Sequence, residues 1–473
     1  MSTTSRQLKS FRSLVALALL LAPAACAAQT HGPVIAAPGG NGPVTVPGQE
    51  IRLSAGLEST YVLQGSPGEA FLVVDLNAIA VPVQRVRPAM AVALVIDRSG
   101  SMSGDKIANA RTAASSFIQS MADGDVVSVY VYDDVVEQIA PATLVNGASR
   151  GMLISMIQGI GPRGSTNLFG GLMAGIESLS TAAAERPIRR VILISDGLAN
   201  VGPSTPGELG NAAAGGAARG ISVTSIGVGL DYDENTMAAV AVRSGGRFYH
   251  MQEPAQLAAI LETELNNMSA TVAQGVVIEL VPAPGVQILG ASGADLVQVG
   301  NAYRLSVGDM LGDQARQVVI PVRVPTSGPA EQAIGDITLR YRAAASDEER
   351  TGGARVAYQI AQDQAQVDQG VRPQFALAVE TYRAAHARRE AAALVARGEA
   401  GRAADVLEEQ AVATRARANR VGGAAGRVMA QNAEALDDRS RDVRAAPSPA
   451  TAPSAVRAMQ LDLADEALEA EGY

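Results

Sequence analysis

Residues 91–104 read Ala-Val-Ala-Leu-Val-Ile-Asp-Arg-Ser-Gly-Ser-Met-Ser-Gly. The six apolar residues at the start predict a buried strand, and the polar residues after them predict a turn at its carboxyl end. The turn presents one carboxylate and two hydroxyls at a spacing of two residues, from Asp97, Ser99 and Ser101. Open α/β sheets bind ligands at the carboxyl ends of their strands. Because such oxygen donors suit Mg²⁺, Mn²⁺ or Ca²⁺ better than Zn²⁺, the turn predicts a divalent-metal site.

Two further oxygen donors follow where a doubly wound sheet would place them. The loop 161–167 contains Thr166 and precedes a predicted helix. The predicted strand 190–194 ends in Ser195-Asp196-Gly197, which puts a second carboxylate at the carboxyl end of another strand. The sequence therefore predicts five oxygen ligands from three loops at one edge of a sheet.

These residues resemble a known pattern. Asp-x-Ser-x-Ser at 97–101, a later Thr166 and a later Ser-Asp-Gly at 195–197 are similar to the metal-ion-dependent adhesion site of von Willebrand factor A domains. The resemblance implies that Asp97, Ser99, Ser101, Thr166 and Asp196 coordinate the metal, with Mg²⁺ expected and Mn²⁺ or Ca²⁺ as alternatives. It also implies a protein ligand that supplies Asp or Glu to the metal.

Each acidic or hydroxyl residue also has a simpler interpretation. Asp97, Thr166 and Asp196 taken singly are ordinary cap or turn residues, and only their joint position favours a metal. Other acidic residues are better explained without one. Asp105 fits the first turn of a helix, with a residue of an adjacent second metal site as the alternative. The pair at 133–134 is expected to be a solvated turn, with an outer-shell or specificity role as the alternative. The acidic residues at 231–234 lack the spacing of a calcium loop.

Composition excludes several classes of function. The chain has 473 residues, enough for two or three domains, and its 47% hydrophobic and 18% charged residues are typical of globular proteins. A net charge of −9 disfavours nucleic acid as a partner. Since no serine and acid are positioned to accompany a histidine, and no phosphate-binding loop is present, the sequence indicates that the chain is not an enzyme.

The first residues predict export. A basic segment is followed by an apolar core at 14–21 and by small residues, which is typical of a signal peptide at 1–28. Cys26, the only cysteine, resembles a bacterial lipoprotein attachment site, in which case the signal would be 1–25. Pro23 departs from that pattern, and ordinary cleavage after Ala27 or Ala28 is the alternative. Either way the protein is expected in the periplasm or cell envelope, with residues 29–47 as a flexible spacer.

Hydrophobic periodicity divides the remainder into segments. Residues 48–88 and 271–362 have the period of two that predicts strands of one β-sandwich, and residues 89–270 alternate strands with helices. The predicted fold is therefore α/β, a doubly wound, Rossmann-like von Willebrand factor A domain flanked by a β-sandwich. Residues 372–420 predict a C-terminal helical hairpin that resembles one tetratricopeptide-like unit, and 421–473 predict a linker and an acidic terminal helix. The whole arrangement is similar to bacterial secreted relatives of calcium-activated chloride channel regulators and inter-α-trypsin inhibitor heavy chains.

Two functions remain open. In the first, the chain is an exported, metal-dependent protein-binding or adhesion module whose partner completes the metal's coordination. In the second, it is a scaffold subunit of an envelope or transport-associated assembly, and the metal only makes the loop rigid. Its contact with a membrane is expected to be limited to a lipid on Cys26.

Overall fold

The computed structural model describes residues 44–46, 50–80, 87–180, 186–446 and 451–471. The predicted signal peptide, Cys26 and most of the predicted spacer lie outside the described residues. Within the spacer's predicted range, residues 44–46 are a strand that pairs with residues 53–55. No helix in the described part of the chain is both long enough and apolar enough to span a membrane.

The segment before the α/β domain contains four strands, as the period of two indicates. They are β1 (Val44–Val46), β2 (Ile51–Leu57), β3 (Tyr61–Leu63) and β4 (Glu69–Ala78).

The α/β domain is built on a six-stranded sheet. Its strands are β5 (Met90–Asp97), β6 (Val126–Tyr132), β7 (Val136–Leu144), β8 (Ile188–Ser195), β9 (Ser222–Val228) and β10 (Phe248–Met251). Their order is β10-β9-β8-β5-β6-β7, and only β7 is antiparallel to its neighbour. The predicted alternation of strands and helices is confirmed. β7 was not predicted, because this edge strand of nine residues is mostly exposed and its apolar pattern is weak, and the four residues of β10 are too few for a clear pattern.

Six helices cover the two faces of this sheet. They are α1 (Asp105–Ser120), α2 (Gly147–Gln158), α3 (Leu168–Ser180), α4 (Pro206–Ala217), α5 (Glu234–Ser244) and α6 (Leu257–Ala270). All eight residues of β5 are buried, and their side chains alternate between the two faces. Val92, Leu94 and Ile96 pack with α1 and α6, while Ala93 and Val95 pack with α3. A central parallel strand that is buried on both faces explains the unbroken apolar run at residues 91–96.

The segment after the α/β domain returns to strands. They are β11 (Thr271–Pro282), β12 (Gln287–Ile288), β13 (Asp295–Val299), β14 (Ala302–Leu311), β15 (Ala315–Arg323), β16 (Glu331–Ala343) and β17 (Glu349–Ala361). Two sheets form, in the orders β1-β2-β4-β15-β12 and β13-β14-β11-β16-β17-β3. Because β4 pairs with β15 and β3 with β17, strands from both sides of the α/β domain build one sandwich around one core.

Five helices follow the sandwich in the described part of the chain, where a helical hairpin and an acidic terminal helix were predicted. They are α7 (Gln364–Gln369), α8 (Pro373–Ala396), α9 (Ala400–Val421), α10 (Gly423–Arg444) and α11 (Pro453–Glu471). Residues 423–444, expected to belong to a linker, form a third long helix that packs on α9 through Met429 and Leu436. The acidic helix α11 returns to pack on α8 and on the α/β domain.

Candidate metal centre

The carboxyl ends of β5 and β8 lie side by side. Ile96 pairs with Ile194 in the parallel sheet, so the residues that follow the two strands leave the sheet as neighbours. The Ser195 hydroxyl donates a hydrogen bond of 2.8 Å to Asp97 Oδ2. The topology thus brings together two of the three loops that the sequence analysis selected.

Four of the five predicted ligands form one hydrogen-bonded chain. The Ser99 N–H donates to Asp97 Oδ1 at 2.7 Å, and Ser99 Oγ lies 3.0 Å from Ser101 Oγ. Ser101 Oγ in turn donates to Asp196 Oδ1 at 2.7 Å. The carboxylates of two strand ends and the hydroxyls of one turn therefore occupy one small region.

The fifth predicted ligand, Thr166, lies against this group. Its loop is joined to the first turn by a hydrogen bond of 3.1 Å from the Gly100 N–H to the Gly164 carbonyl. Asn200 Oδ1 accepts from the Thr166 N–H at 2.8 Å and fixes the loop from the other side. A Cβ placed on Gly197 would lie 3.3 Å from Ser101 Oγ and 3.6 Å from Thr166 Oγ1, so both hydroxyls contact this glycine.

The group is buried on one side and open on the other. Asp97, Ser99, Thr166 and Asp196 are buried, whereas Ser101 is exposed. Burial raises the pKa of Asp97 to about 6, and the neighbouring Asp196 adds to the rise. Among the described residues no Lys or Arg forms an ion pair with Asp97. A buried carboxylate without a cationic partner is a group that a bound cation would stabilise.

Lys106 belongs to the candidate site, although the sequence analysis did not select it. Its Nζ lies 2.5 Å from Asp196 Oδ2, so it neutralises the second carboxylate of the group. The amino-acid composition contains a signal that could have singled out Lys106. Of the 38 basic residues only Lys106 and Lys9 are lysines, and all the others are arginines. The chain uses arginine almost everywhere else. At this position it has a lysine, whose compact ammonium contacts one oxygen of Asp196, and not an arginine, whose planar guanidinium can contact two.

The expectation of a solvated turn at 133–134 is wrong for Asp133. Its side chain is buried and accepts hydrogen bonds of 2.7 Å from both Arg98 and Arg163. Although burial alone would raise the pKa of Asp133, hydrogen bonds from the Val135 N–H and the two guanidinium groups lower it. Since Arg98 follows Asp97 directly and Arg163 belongs to the loop of Thr166, Asp133 holds two of the ligand loops together.

The remaining acidic candidates lie outside the group. Asp105 begins α1 and is exposed, and Asp233 caps α5 by accepting from the Asn235 N–H. Glu234 is buried and pairs with Arg457 of α11. Within the described ranges no cluster of three or more His, Cys, Asp and Glu is placed to hold a metal. The group around Asp97 has two carboxylates, and its other oxygens are hydroxyls.

Comparison with known sequences identifies the α/β domain. The model of the von Willebrand factor type A domain family matches residues 91–263. An uncharacterized protein of Synechocystis sp. (sll0103) is 24% identical over 52% of this chain and 60% of its own length. Inter-alpha-trypsin inhibitor heavy chain H3 of Rattus norvegicus is 28% identical over 33% of this chain and 18% of its own length. The chain thus spans less than two thirds of the length of these curated relatives.

Solved structures are similar over most of the chain. A von Willebrand factor type A protein from Catenulispora acidiphila superposes with a TM-score of 0.64 at 18% identity, and covers 84% of this chain and 97% of its own. The ArnB paralog VWA2 from Sulfolobus acidocaldarius superposes with a TM-score of 0.59 at 18% identity, over 89% of this chain and 98% of its own. At this identity the likeness concerns the fold alone, and it includes the segments that flank the α/β domain.

Proposed function

We propose that this chain, which contains a von Willebrand factor type A domain over residues 91–263, binds a divalent metal and uses it to bind a protein partner. Such domains commonly mediate protein–protein interaction and adhesion. In the proposal, Asp97, Ser99, Ser101, Thr166 and Asp196 hold the metal, and an Asp or Glu of the partner completes its coordination. The observation that carries the proposal is the chain of hydrogen bonds that joins Asp97 to Asp196 through the Ser99 N–H and the hydroxyls of Ser99 and Ser101.

The spacing of these oxygens is compatible with Mg²⁺. An octahedral Mg²⁺ site has Mg–O distances of roughly 2.0–2.1 Å, so its adjacent oxygens are about 2.9 Å apart. The two contacts made by Ser101 Oγ, 3.0 Å to Ser99 Oγ and 2.7 Å to Asp196 Oδ1, are close to this value. Oxygens at this spacing also fit the equatorial ring of a seven-coordinate Ca²⁺ site, so the proposal names Mg²⁺ with Mn²⁺ and Ca²⁺ as alternatives.

The chemistry of the donors explains how such a site would bind a partner. A bound divalent ion supplies an electrophilic position that attracts a carboxylate. Asp97 and Asp196 provide two negative charges, and the hydroxyls of Ser99, Ser101 and Thr166 are neutral. Ser101 lies at the solvent-exposed side, so this is the direction from which a partner's acidic residue would approach.

Calorimetric titration of the purified chain with Mg²⁺ tests the metal site. Asp97→Ala should weaken binding by more than about 100-fold, since it removes a ligand and not merely a residue that supports one. Asp105→Ala is the matched control, because Asp105 is an exposed aspartate eight positions later and lies outside the group. Unchanged Mg²⁺ affinity in Asp97→Ala, in a variant that remains folded, would contradict the proposal.

A scaffold function is the second candidate, and the contacts between the domains favour it. Arg190 of β8 pairs with Glu264 at 3.0 Å and with Asp309 of β14 at 2.7 Å, which joins the α/β domain rigidly to the sandwich. Pull-down of envelope proteins with and without EDTA separates the two functions. Chelator should abolish partner capture in the metal-dependent function and leave it intact in the scaffold function.

We propose further that the protein is exported to the periplasm or cell envelope, on the strength of the signal-like residues 1–28. Mass spectrometry of the mature amino terminus tests this placement. An acylated Cys26 would show a lipid-anchored protein, and a start after Ala27 or Ala28 would show an exported protein without an anchor. An unprocessed Met1 in envelope fractions would contradict a cleaved signal.

A further inference from the structure

A cavity opens beside the proposed metal site. It has a volume of about 180 Å³ and lies between the start of α3, the loop after β8 and the first turn of α5. Gly197 lines this cavity and also contacts the hydroxyls of Ser101 and Thr166. The cavity therefore begins one residue away from the Asp196 carboxylate, at the same edge of the sheet.

The side chains that form the cavity's floor are apolar. Leu168 and Met237 are buried members of the core beneath the sheet, and Ala199 packs partly against the same core. Leu198 stands at the side of the cavity with 59% of its surface exposed, which makes it the most exposed large apolar side chain in the described part of the chain. An apolar side chain held in water beside a cavity is a feature of binding surfaces.

Three polar residues also line the cavity, Ser204, Asp233 and Thr236, and the last two are hydrogen-bonded to each other. Asp233 accepts hydrogen bonds from the Asn235 N–H at 3.1 Å and from Thr236 Oγ1 at 2.5 Å. Its carboxylate would disfavour a second acidic group in the cavity, while its hydrogen-bond partners reduce its need for a basic one. An uncharged apolar group therefore fits this space better than a charged one.

We propose that the partner's metal-binding acidic residue is accompanied by an apolar side chain of the size of Leu, Met or Phe, which occupies this cavity. The inference rests on the metal-dependent function proposed above and specifies the partner's chemistry. A cavity of roughly 150 Å³ with apolar walls accommodates a benzene molecule, so the space available here is sufficient for one such side chain. The partner's recognition element is then an acidic residue and a neighbouring apolar residue.

Selection from a displayed peptide library tests the inference. The library carries a fixed Asp flanked by three random positions on each side, is captured on the Mg²⁺-loaded chain and is eluted with EDTA. We expect the eluted peptides to share an apolar residue at one fixed position relative to the Asp. In a synthetic peptide, replacing that residue by Ala should weaken Mg²⁺-dependent binding roughly 10- to 100-fold, as expected for burial of one large apolar side chain.

Substitutions in the chain test whether the apolar residue of the peptide binds in this cavity. Ala199→Leu, which fills the cavity, should remove the preference for the apolar residue and preserve the requirement for Asp and Mg²⁺. Leu198→Ser should weaken binding of the apolar peptide, whereas Leu289→Ser, a control in the sandwich with 50% exposure, should leave it unchanged. The two proposals fail differently. Asp-dependent peptides without a preferred apolar position would overturn this inference alone, and the absence of any Asp- and Mg²⁺-dependent peptide would overturn the proposed function as well.

Discussion

Replacing Lys106 by Met should strengthen Mg²⁺ binding. The Lys106 ammonium lies 2.5 Å from Asp196 Oδ2; the Lys106 side chain is 23% exposed, while the Asp196 side chain is fully buried. A bound metal would share Asp196 with this positive charge. Methionine keeps the length and the apolar stem of the side chain, so the substitution removes the charge with little loss of packing.

The magnitude follows from Coulomb's law. If the metal binds Asp196 Oδ1, the ammonium on Oδ2 lies about 5 Å from it, given Mg–O distances of roughly 2.0–2.1 Å. A divalent and a monovalent cation at that separation repel each other by about 1.7 kcal/mol in water and by about 6.6 kcal/mol at an effective dielectric constant of 20. Because the Lys106 side chain is only 23% exposed and Asp196 is fully buried, the value in water is the smallest repulsion to expect. We therefore expect Lys106→Met to bind Mg²⁺ at least about tenfold more tightly.

Calorimetric titration of EDTA-stripped protein with Mg²⁺ measures the effect, and Lys106→Arg serves as the charge-preserving control. Arginine keeps a positive charge beside Asp196, so Lys106→Arg should not show the gain in Mg²⁺ affinity that is expected of Lys106→Met. An equal or weaker affinity in a folded Lys106→Met variant would refute the reasoning. It would mean that Lys106 holds Asp196 in position for the metal rather than competing with it.

Three other predictions follow from single contacts. Glu264→Gln should lower the free energy of unfolding in urea by about 2–3 kcal/mol, because a fully buried ion pair loses one charge. The control is Glu177→Gln in an exposed ion pair, which should change the free energy of unfolding by less than about 0.5 kcal/mol. Burial alone would raise the pKa of Glu264, but Arg190 and the hydrogen-bond partners of Glu264 lower it below 4.5. The charge of Glu264 therefore stabilises the fold above pH 4.5. The difference in the free energy of unfolding between wild type and Glu264→Gln should shrink as the pH falls below 4.5. Gly197→Ala should weaken Mg²⁺ binding roughly tenfold, since its Cβ would crowd the Ser101 hydroxyl at 3.3 Å. Arg457→Ala should speed amide hydrogen exchange in residues 453–471 roughly 10- to 100-fold, because α11 loses a 2.6 Å ion pair with Glu234.

The sequence predicted the α/β sheet well because local patterns determine it. A run of apolar residues such as 91–96 is typical of a strand buried on both faces, and the observed β5 confirms it. The placement of Asp97 and Asp196 at neighbouring strand ends follows from the parallel topology. The assignment of the five residues to a metal remains a prediction, since it depends on a ligand and not on the fold.

Contacts between distant segments could not be predicted in this way. Asp133 was expected in a solvated turn because two adjacent aspartates are polar in any local window. Its burial depends on Arg98 and Arg163, which reach it across 35 and 30 positions of the chain. Hydrophobic periodicity reports which face of an element is apolar, but it does not report which cation a buried carboxylate will meet.

The terminal helix shows how far such contacts extend toward the candidate site. The sequence predicted an acidic terminal helix and left open whether it is disordered or docks on a partner, whereas the structure buries Leu461 of α11 in the core of the α/β domain. Arg457 of the same helix donates to the carbonyls of Leu230 and Tyr232, in the loop between β9 and α5. That loop begins with Gly229, whose Cβ, if present, would lie 3.6 Å from Lys106 Nζ. The loop is therefore held between α11 on one side and the lysine beside Asp196 on the other, so the environment of the proposed metal site depends on residues more than 200 positions away in the chain.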